Sequence, residues 1–440
     1  MSDATSMAED FASGRDDPVQ ALEQALASAD QSPGVFISLT AERARREAQA
    51  SAARWRAGQP LSVFDGVPLA WKDLFDVAGS ITTAGAAYRR NAPAALLDAP
   101  SVGVLCRAGM VSVGKTNLSE LAYSGLGLNP HFGTPHNPHG SDQPRIPGGS
   151  SSGSAVAVAA GIVPIAMGTD TAGSIRIPAA FNGLVGYRSS SRRYSRDGVF
   201  PLAHTLDSLG PLTRSVRDAL AIDDLLHGRR QTHSARSLNG QRFVLAQQDV
   251  EPAVGNNLLR AVEQLKAQGA LIEERECAPF QATLELIKHH GWLGSFEAFA
   301  LHQTLLDSAD AEHLDPRVRR RLEAARTLPA SQLLYLLDAR RRLQQQLVDD
   351  LDGAILITPT VAHVAPALAP LEADDDLFVT TNLATLRLTM PGSFLDMPGV
   401  NLPSGRDAQG LPTGLLLSAP TGEDARLLRA ALSVESVLNV

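Results

Sequence analysis

The hydrophobic pattern in the first half of the chain alternates between helical repeats and short apolar runs. Apolar residues recur three and four positions apart, the spacing of one helix face, over four segments: 18–29, 40–57, 99–108 and 216–226. Apolar runs of strand length lie between them, for example at 110–113 and 162–167. Strands that alternate with helices are typical of a layered α/β fold, so we predict a large mixed sheet, mostly parallel, covered by helices on both faces.

The pattern changes near residue 280. From there to 350 it is almost entirely helical and rich in Leu and Arg. Strand-like runs resume at 354–357 and 414–417, before a last helix over 423–438. We find no repeat of fixed period. We therefore interpret the chain as one domain in four parts: N-terminal helices (1–60), a core of strands and helices (61–226), a helical lobe (280–350) and a return to the sheet (352–440).

Composition narrows the class of protein. The chain has 440 residues, of which 44% are hydrophobic and 20% charged, which is ordinary for a globular protein with a large core. The formal charge of −8 argues against direct nucleic-acid binding, and no apolar run has the length of a membrane span. Only Cys106 and Cys277 occur, and residues 1–14 lack the apolar segment of a signal peptide. We expect a cytoplasmic protein.

Two glycine- and serine-rich turns, at 147–154 and 168–176, are separated by an apolar stretch that reads as one short helix and one buried strand. Glycine allows backbone conformations and close approaches that other residues do not. Because packed structure holds the two turns at a fixed distance, they indicate a site. The first turn formally matches a nucleophile elbow centred on Ser151, but that motif follows a strand, and the preceding segment here reads as a loop.

Metal and histidine chemistry have weak support in the sequence. His131, His136 and His139 share one loop rich in Pro, Asn and Gly, and His289 and His290 are adjacent on a predicted helix. No His-Glu-x-x-His pattern is present, and two cysteines are too few for a thiolate cage. We therefore predict no metal site, and we find no clear histidine base for a serine hydrolase.

Lysine is rare in this chain, which otherwise uses arginine, and Lys72 stands in an unusual place. It lies in the apolar segment 67–75, where burial would lower the pKa of its amine and so suit it to act as a general base. The alternative is a lysine at a strand end whose ammonium reaches water or pairs with Asp73 or Asp76. The residues alone leave both interpretations open.

The segments 148–154 and 168–179 together resemble the amidase signature family. Further matching stations occur in the family's order: 66–73, 82–85, 108–117 with Glu120, 133–138, 208–214 and 358–366. The match covers most of 61–226 and resumes over 352–438, so the resemblance implies a single amidase-signature domain with 61–226 as its catalytic core. The lobe at 280–350 matches weakly, and the resemblance makes it the substrate side, where the family varies.

The resemblance assigns a Ser–cis-Ser–Lys triad. Ser174 would be the nucleophile, Ser150 the bridging serine and Lys72 the base, with a cis peptide between Gly149 and Ser150. Backbone N–H groups in the turn before the nucleophile would form the oxyanion hole, namely those of Thr171, Ala172, Gly173 and Ser174. Structural support is expected from Gly149, Asp170 and Arg176, and Lys115 is expected to be structural.

The resemblance also implies the class of substrate. We expect a small amide or carbamate to contact Tyr123, Gly125 and Ser151, with no metal and no organic cofactor. The chain has Ala172–Gly173 where many members have two glycines, and Ser152–Gly153 where many have two glycines after the serine pair. These variants resemble branches that include allophanate hydrolases. Homodimers are common in the family, although no feature of this sequence indicates one.

The expected function is hydrolysis of a linear carboxamide or a related C–N bond through an acyl-enzyme on Ser174. Two alternatives within the enzyme class are a urethane or ester hydrolase and an allophanate-hydrolase-like enzyme. A third is a glutamine-dependent amidotransferase A-type subunit, which would release ammonia within a larger complex. A fourth is a catalytically silent binding protein on the same fold, against which the occupied triad positions argue.

Overall fold

A computed structural model of the chain describes residues 3–140, 142–229 and 231–438. The predicted domain bounds at 1 and 440 therefore lie outside the described residues. The strands are β1 (Phe36–Leu39), β2 (Pro68–Lys72), β3 (Val111–Thr116), β4 (Ile165–Asp170), β5 (Val185–Arg188), β6 (Ser208–Thr213), β7 (Arg242–Leu245), β8 (Leu271–Glu274), β9 (Ile355–Pro359), β10 (Gly399–Arg406) and β11 (Pro412–Ser418).

Helices separate most of the strands. They are α1 (Ala4–Ser13), α2 (Pro18–Asp30), α3 (Ala41–Arg56), α4 (Pro100–Arg107), α5 (Ser152–Ala159), α6 (Arg176–Phe181), α7 (Val216–Leu226), α8 (Pro252–Ala267), α9 (Ala278–His290), α10 (Leu293–Leu306), α11 (Pro316–Glu323), α12 (Ala330–Leu351), α13 (Leu368–Ala373), α14 (Asp375–Leu386), α15 (Met390–Phe394) and α16 (Asp424–Glu435). The predicted α/β class is confirmed.

The described strands form one mixed sheet, in the order β1-β3-β2-β4-β6-β5-β10-β11-β9-β7-β8. Four neighbouring pairs are parallel, namely β2 with β3, β2 with β4, β7 with β8 and β7 with β9. The remaining pairs are antiparallel. The mixed sheet is thus as predicted, but the expectation that it would be mostly parallel is wrong.

The connections explain the strand directions. A helical crossover makes two strands run the same way, and α4 and α8 do this between sheet neighbours. The crossover α6 also gives β4 and β5 the same direction, but β6 inserts between them and is antiparallel to both. A short turn then joins β10 to β11 as a hairpin. Such insertions depend on pairing between distant segments, which the local pattern does not report.

The core lies on both faces of the sheet, as predicted. Leu69 and Trp71 of β2 belong to one apolar cluster, and Ala70 between them belongs to another, because successive strand residues point to opposite faces. The first cluster includes apolar residues of α4, α7, α8 and α16. The second includes those of α2, α3 and α5. The sheet is therefore a central layer between two helical layers.

The segments outside the core comprise the N-terminal region and the helical lobe. The predicted helical region 1–60 also contains the short strand β1, which pairs antiparallel with β3 at the sheet edge and has too few residues for a clear pattern. The predicted helical lobe corresponds to α9–α12, of which α9, α10 and α12 pack against β7 and β9 through a separate apolar cluster. Val318 and Leu322 of α11 belong to another cluster, which includes Tyr123. In the described part of the chain, no helix combines the length and hydropathy that crossing a bilayer requires.

Candidate active site

The site forms where two parallel neighbouring strands end. β2 ends at Lys72 and β4 ends at Asp170, with Trp71 paired to Met167, so their carboxyl ends lie side by side at one edge of the sheet. In open α/β sheets this edge is where ligands bind. The turn before α5 carries Ser150 to the same place, and the turn after β4 carries Ser174.

The side chain of Lys72 is fully buried and points toward the serine turn. Its Nζ donates hydrogen bonds to Ser150 Oγ at 2.7 Å and to Thr169 Oγ1 at 2.8 Å. The neighbouring carboxylate of Asp73 is paired instead with Lys115, at 2.6 Å. The alternative of a strand-end lysine that reaches water or pairs with Asp73 is therefore excluded.

Burial lowers the pKa of Lys72 from 10.5 to about 7, although the negative charges of Asp170 and Asp207 oppose the shift. Near neutral pH a substantial fraction of this amine is uncharged. An uncharged amine hydrogen-bonded to a hydroxyl can accept a proton from it, which is the property required of a general base.

The Gly149–Ser150 peptide bond is cis. The turn around it is held by backbone hydrogen bonds, from Gly149 N–H to the carbonyl of Gly125 at 2.7 Å and from Ser119 N–H to the carbonyl of Ser150 at 3.2 Å. A Cβ on Gly149 would lie 2.6 Å from the backbone nitrogen of Gly127. This position therefore requires glycine because another backbone segment approaches it closely.

Ser174 lies in the turn immediately before α6, rather than within a helix. Its carbonyl accepts a hydrogen bond from Ser151 N–H at 3.2 Å, which ties the second turn to the first. The residue is 4% exposed and lies in the wall of a cavity. The structure thus brings together the segments that carry Lys72, Ser150 and Ser174, with a direct hydrogen bond between the first two.

Asp170 organises the turn that contains Ser174. Its carboxylate accepts hydrogen bonds from the N–H groups of Gly173 at 2.8 Å and Ile175 at 3.1 Å, and from the guanidinium of Arg176 at 2.9 Å and 3.0 Å. Burial alone would raise the pKa of Asp170, but the positive charges of Arg176 and Arg188 outweigh it and hold that pKa well below its ordinary value. This geometry fits the expected supporting roles of Asp170 and Arg176.

The predicted oxyanion hole needs one correction. Because Gly173 N–H already donates to Asp170, it is not available to a substrate oxygen. Within the described part of the chain, the N–H groups of Ala172 and Ser174, and that of Thr171, have no acceptor. Ala172 is further fixed by a hydrogen bond from Thr389 Oγ1 to its carbonyl at 2.6 Å.

Gly173 nevertheless has a strict structural requirement. Its φ is +134°, and a Cβ there would lie 2.2 Å from Thr389 Oγ1 and 2.7 Å from Ile177 Cδ1. Only glycine adopts such a backbone without strain. This residue therefore shapes the turn around Ala172 and Ser174, although its own N–H does not face the site.

A cavity of about 850 Å³ opens over Ser174. The turn residues Thr171, Ala172 and Ser174 lie in its wall, together with Tyr123. The helical lobe supplies apolar side chains that also line it, among them Phe280, Leu284, Ile287 and Trp292. The cavity surface is mostly apolar, but charged residues line it as well, among them Asp249, Glu276, Glu285, Lys288 and Arg387. An apolar cavity with polar groups beside a nucleophile is the usual form of a small-molecule site.

Of the three residues expected to contact substrate, only Tyr123 lines this cavity. Gly125 is buried behind it, where its N–H donates to Asn382 Oδ1 at 2.8 Å and its carbonyl accepts from Gly149. Ser151 is also buried, and its Oγ donates to the carbonyl of Thr169 at 3.3 Å. Their expected place in the cavity wall is corrected, because their hydrogen bonds tie them to the supporting turns.

Three residues near the site were missed by sequence reasoning. Thr169 accepts a hydrogen bond from Lys72, Asp207 accepts one from Thr171 Oγ1 at 2.6 Å, and Arg321 of α11 reaches the cavity. Thr169 lies within the glycine-rich turn and could have been singled out there. Asp207 precedes a strand, and Arg321 stands in an arginine-rich helix, so neither had a distinguishing local signal.

Arg321 lies at the cavity wall beside Tyr123. Its guanidinium stacks over the Tyr123 ring at 4.3 Å and donates to the Tyr123 carbonyl. Among the described residues it forms no ion pair with a carboxylate. Burial lowers the pKa of Arg321 from its usual value, but arginine stays charged in proteins. Arg321 is therefore a positive charge in the cavity wall that forms no ion pair in the described part of the chain, although Asp249, Glu276 and Glu285 also line the cavity.

Lys115 has a structural place, as expected from the sequence. Residues 109–116 formally match the phosphate-loop pattern Gly-x-x-x-x-Gly-Lys-Thr, but most of them form β3, and Lys115 is fully buried against Asp73. The described residues contain no group of three or more His, Cys, Asp or Glu side chains arranged to hold a metal ion.

Comparisons with known proteins show which sequences and structures the chain resembles. The family model described as Amidase matches residues 17–428. The chain is 33% identical over 408 residues to 2-amino-5-chloromuconic acid deaminase of Comamonas testosteroni, covering 90% of this chain and 87% of that protein. It is 32% identical over 455 residues to the A-type subunit of glutamyl-tRNA(Gln) amidotransferase from Prochlorococcus marinus (strain MIT 9303), covering 94% and 92%.

The fold has close counterparts among solved structures. A crystal structure described as an amidase superposes with a TM-score of 0.87 at 34% sequence identity, covering 100% of both chains. The similarity therefore extends through the lobe that carries most of the cavity wall.

Proposed function

The chain belongs to the amidase family, also called the amidase signature family, and from this premise we propose that it hydrolyses a linear carboxamide or related C–N bond through an acyl-enzyme on Ser174. The observation that carries the proposal is the hydrogen bond of 2.7 Å from a fully buried Lys72 to Ser150, beside a cavity that reaches Ser174.

The proposed reaction begins with proton transfer. Neutral Lys72 accepts the proton of Ser150 Oγ while Ser150 takes the proton of Ser174 Oγ, and Ser174 Oγ forms a bond to the acyl carbon. The N–H groups of Ala172 and Ser174 donate to the oxygen that becomes negative. When the C–N bond breaks, the proton returns through Ser150 to the leaving nitrogen. Water repeats the cycle and releases the acid.

The test is a panel of amide, carbamate, urea-type and ester substrates assayed with the wild type and with Ser174→Ala. We expect Ser174→Ala to lose the hydrolysis that the wild type shows. Ser152→Ala is a matched control, because Ser152 is a buried serine at the start of α5, beside Ser150, and its Oγ has no hydrogen-bond partner among the described residues. Equal loss in both variants, or retained activity in Ser174→Ala, would contradict the proposal.

We further propose that the substrate carries a carboxylate. The guanidinium of Arg321 in the cavity wall supports this, because it forms no ion pair with a carboxylate of the described residues. Arginine binds carboxylates through paired hydrogen bonds. The Comamonas relative is named for an acid, which agrees with such a group. Arg321→Met should raise KM for an acid-bearing amide at least tenfold and change KM for its neutral methyl ester far less. Arg320→Met is the matched control, since Arg320 is exposed on the same helix.

A second candidate is an amidotransferase A-type subunit. It is favoured by the similarity to the Prochlorococcus amidotransferase chain over 94% of this chain. The same site would then hydrolyse glutamine within a complex. Assay of the purified chain alone separates the two proposals: robust hydrolysis of a small amide without a partner supports the hydrolase, and weak activity that a partner subunit restores supports the amidotransferase.

We also propose a cytoplasmic location, a small-molecule substrate and a homodimer. Cys106 and Cys277 are both free thiols, as proposed for a protein of the reducing cytoplasm. The substrate is proposed to be a small molecule, and a homodimer would be seen as a doubled mass in light scattering.

A further inference from the structure

Asp207 holds a buried carboxylate directly beneath the turn that carries Ser174. Its Oδ1 accepts the hydroxyl of Thr171 at 2.6 Å, and its Oδ2 accepts the N–H groups of Leu202 at 2.9 Å and Ala203 at 3.0 Å. Thr171 lines the substrate cavity. The carboxylate therefore joins the loop before β6 to the turn around the proposed nucleophile.

The hydrogen bonds fit the ionised form of Asp207. Its Oδ2 accepts two backbone N–H groups, and an ionised Oδ1 accepts the Thr171 hydroxyl without a proton of its own. A second cavity, of about 450 Å³, reaches Asp207, Thr169 and Thr171, so the carboxylate is not wholly cut off from water. Burial raises the pKa of Asp207, and the three donors and the charge of Arg196 oppose that shift.

Arg196 does not neutralise this carboxylate directly. Its guanidinium donates to the backbone carbonyl of Asp207 at 3.1 Å and not to the carboxylate oxygens. Within the described residues no lysine or arginine side chain forms an ion pair with Asp207. The negative charge of Asp207 is therefore balanced only from a distance.

The charges that act on Lys72 are those of Asp170 on β4 and of Asp207. Arg176 on α6 and Arg188 on β5 pair with Asp170, and Lys115 on β3 pairs with Asp73 just beyond β2. The charge of Asp170 is matched by the two arginines. The charge of Asp73 is matched by Lys115 at 2.6 Å. Asp207 also acts on Lys72, but unlike Asp170 and Asp73 it forms no ion pair within the described part of the chain.

We propose that Asp207 is a positioning residue that anchors the Thr171 turn beneath Ser174 and places a negative charge on the sheet face that carries Thr169, the hydrogen-bond partner of Lys72. The inference rests on the proposed function. The anchor fixes the backbone from which Ala172 and Ser174 donate, while the charge keeps Lys72 basic enough to take a proton after burial has weakened it.

The test uses a fluorophosphonate, which reacts with an activated serine whatever the natural substrate is. Inactivation rates are measured from pH 5 to 9 for the wild type and for Asp207→Asn. Because a negative charge stabilises the ammonium form, its removal should move the midpoint of the acid limb to lower pH by about one unit. A purely structural role would lower the rate and leave the midpoint unchanged.

Asp218→Asn is the matched control. Asp218 is buried, and its carboxylate accepts hydrogen bonds from the same kinds of donor, namely one threonine hydroxyl (Thr5) and two backbone N–H groups (Ala4 and Thr5). It lies on α7, where these bonds join it to α1. We expect the midpoint of Asp218→Asn to equal that of the wild type. Equal midpoints in all three proteins would overturn the inference.

The design separates this inference from the proposed function. If the wild type is not labelled at Ser174, the proposed function fails. If the wild type is labelled and Asp207→Asn keeps its midpoint, only the role of Asp207 fails. Should Asp207→Asn not fold, Thr171→Val removes the same hydrogen bond, and we expect it to label at least tenfold more slowly than Thr171→Ser, which keeps the hydroxyl. Equal rates for these two would overturn the anchoring role.

Discussion

Replacing Lys72 with methionine tests the buried amine through stability rather than activity. The pKa of Lys72 is about 7 in the fold, against 10.5 when it is unperturbed. Between these values the unfolded chain binds one proton more than the folded chain, so the free energy of unfolding of the wild type rises with pH across this window. Below pH 7 the pKa shift lowers the free energy of unfolding by its full amount, and above pH 10.5 it does not lower it at all.

The magnitude follows from the width of the window. Each pKa unit corresponds to about 1.4 kcal/mol, and two units of the window lie between pH 7 and pH 9. Lys72→Met cannot titrate, so its stability relative to the wild type should be about 3 kcal/mol more favourable at pH 6 than at pH 9. The lost hydrogen bonds to Ser150 and Thr169 affect both pH values alike and cancel from this difference.

Urea unfolding followed by circular dichroism at pH 6, 7.5 and 9 measures the difference. Lys115→Met is the matched control, because Lys115 is equally buried but paired with Asp73 at 2.6 Å. Its replacement strands a buried carboxylate and should destabilise the fold by roughly 3–5 kcal/mol. A stability difference between wild type and Lys72→Met that does not change from pH 6 to pH 9 would refute the account of Lys72.

Three further predictions concern activity and stability. Ser150→Ala should lower kcat by roughly 10²–10⁴ with little change in KM, because it interrupts proton transfer; steady-state kinetics on the best substrate measures this, and a wild-type kcat would contradict it. The kcat/KM of the wild type should rise with pH around a midpoint of about 7, the pKa of Lys72, and a flat profile from pH 5.5 to 9 would contradict this. Burial raises the pKa of Glu435 to about 7, so its carboxylate destabilises the fold increasingly as pH rises from 4.5 to 7. Glu435→Gln should therefore stabilise the fold by about 3 kcal/mol at pH 8 and by nothing measurable at pH 4, a comparison that urea unfolding makes directly.

The alternation of apolar runs and helical repeats was enough to predict the α/β class and the two helical layers. It was not enough for the strand directions, because the insertion of β6 between β4 and β5 depends on pairing between residues far apart in the chain. The edge strand β1 was missed because its four residues are too few for a clear pattern. Local patterns report which face of an element is buried, but not which distant segment covers it.

The candidate site, like the fold, could be predicted from the sequence only in part. The assignments of Lys72, Ser150 and Ser174 came from the resemblance to the amidase signature family, and the structure brings their segments to one edge of the sheet. Which backbone N–H groups stay free could not be predicted, since that depends on Asp170 folding back onto Gly173. Arg321 was overlooked because nothing in the sequence separates it from the solvent-facing arginines beside it.

The most direct test of the central claim is the site at which an acyl group becomes attached. A fast-acylating ester is mixed with the wild type, the reaction is stopped with acid, and the adduct is mapped by tandem mass spectrometry. We predict one acyl group, on Ser174, and none on that peptide in Ser174→Ala or Lys72→Met. An adduct on another residue, or unchanged acylation in Lys72→Met, would contradict a nucleophile that is activated by the buried amine.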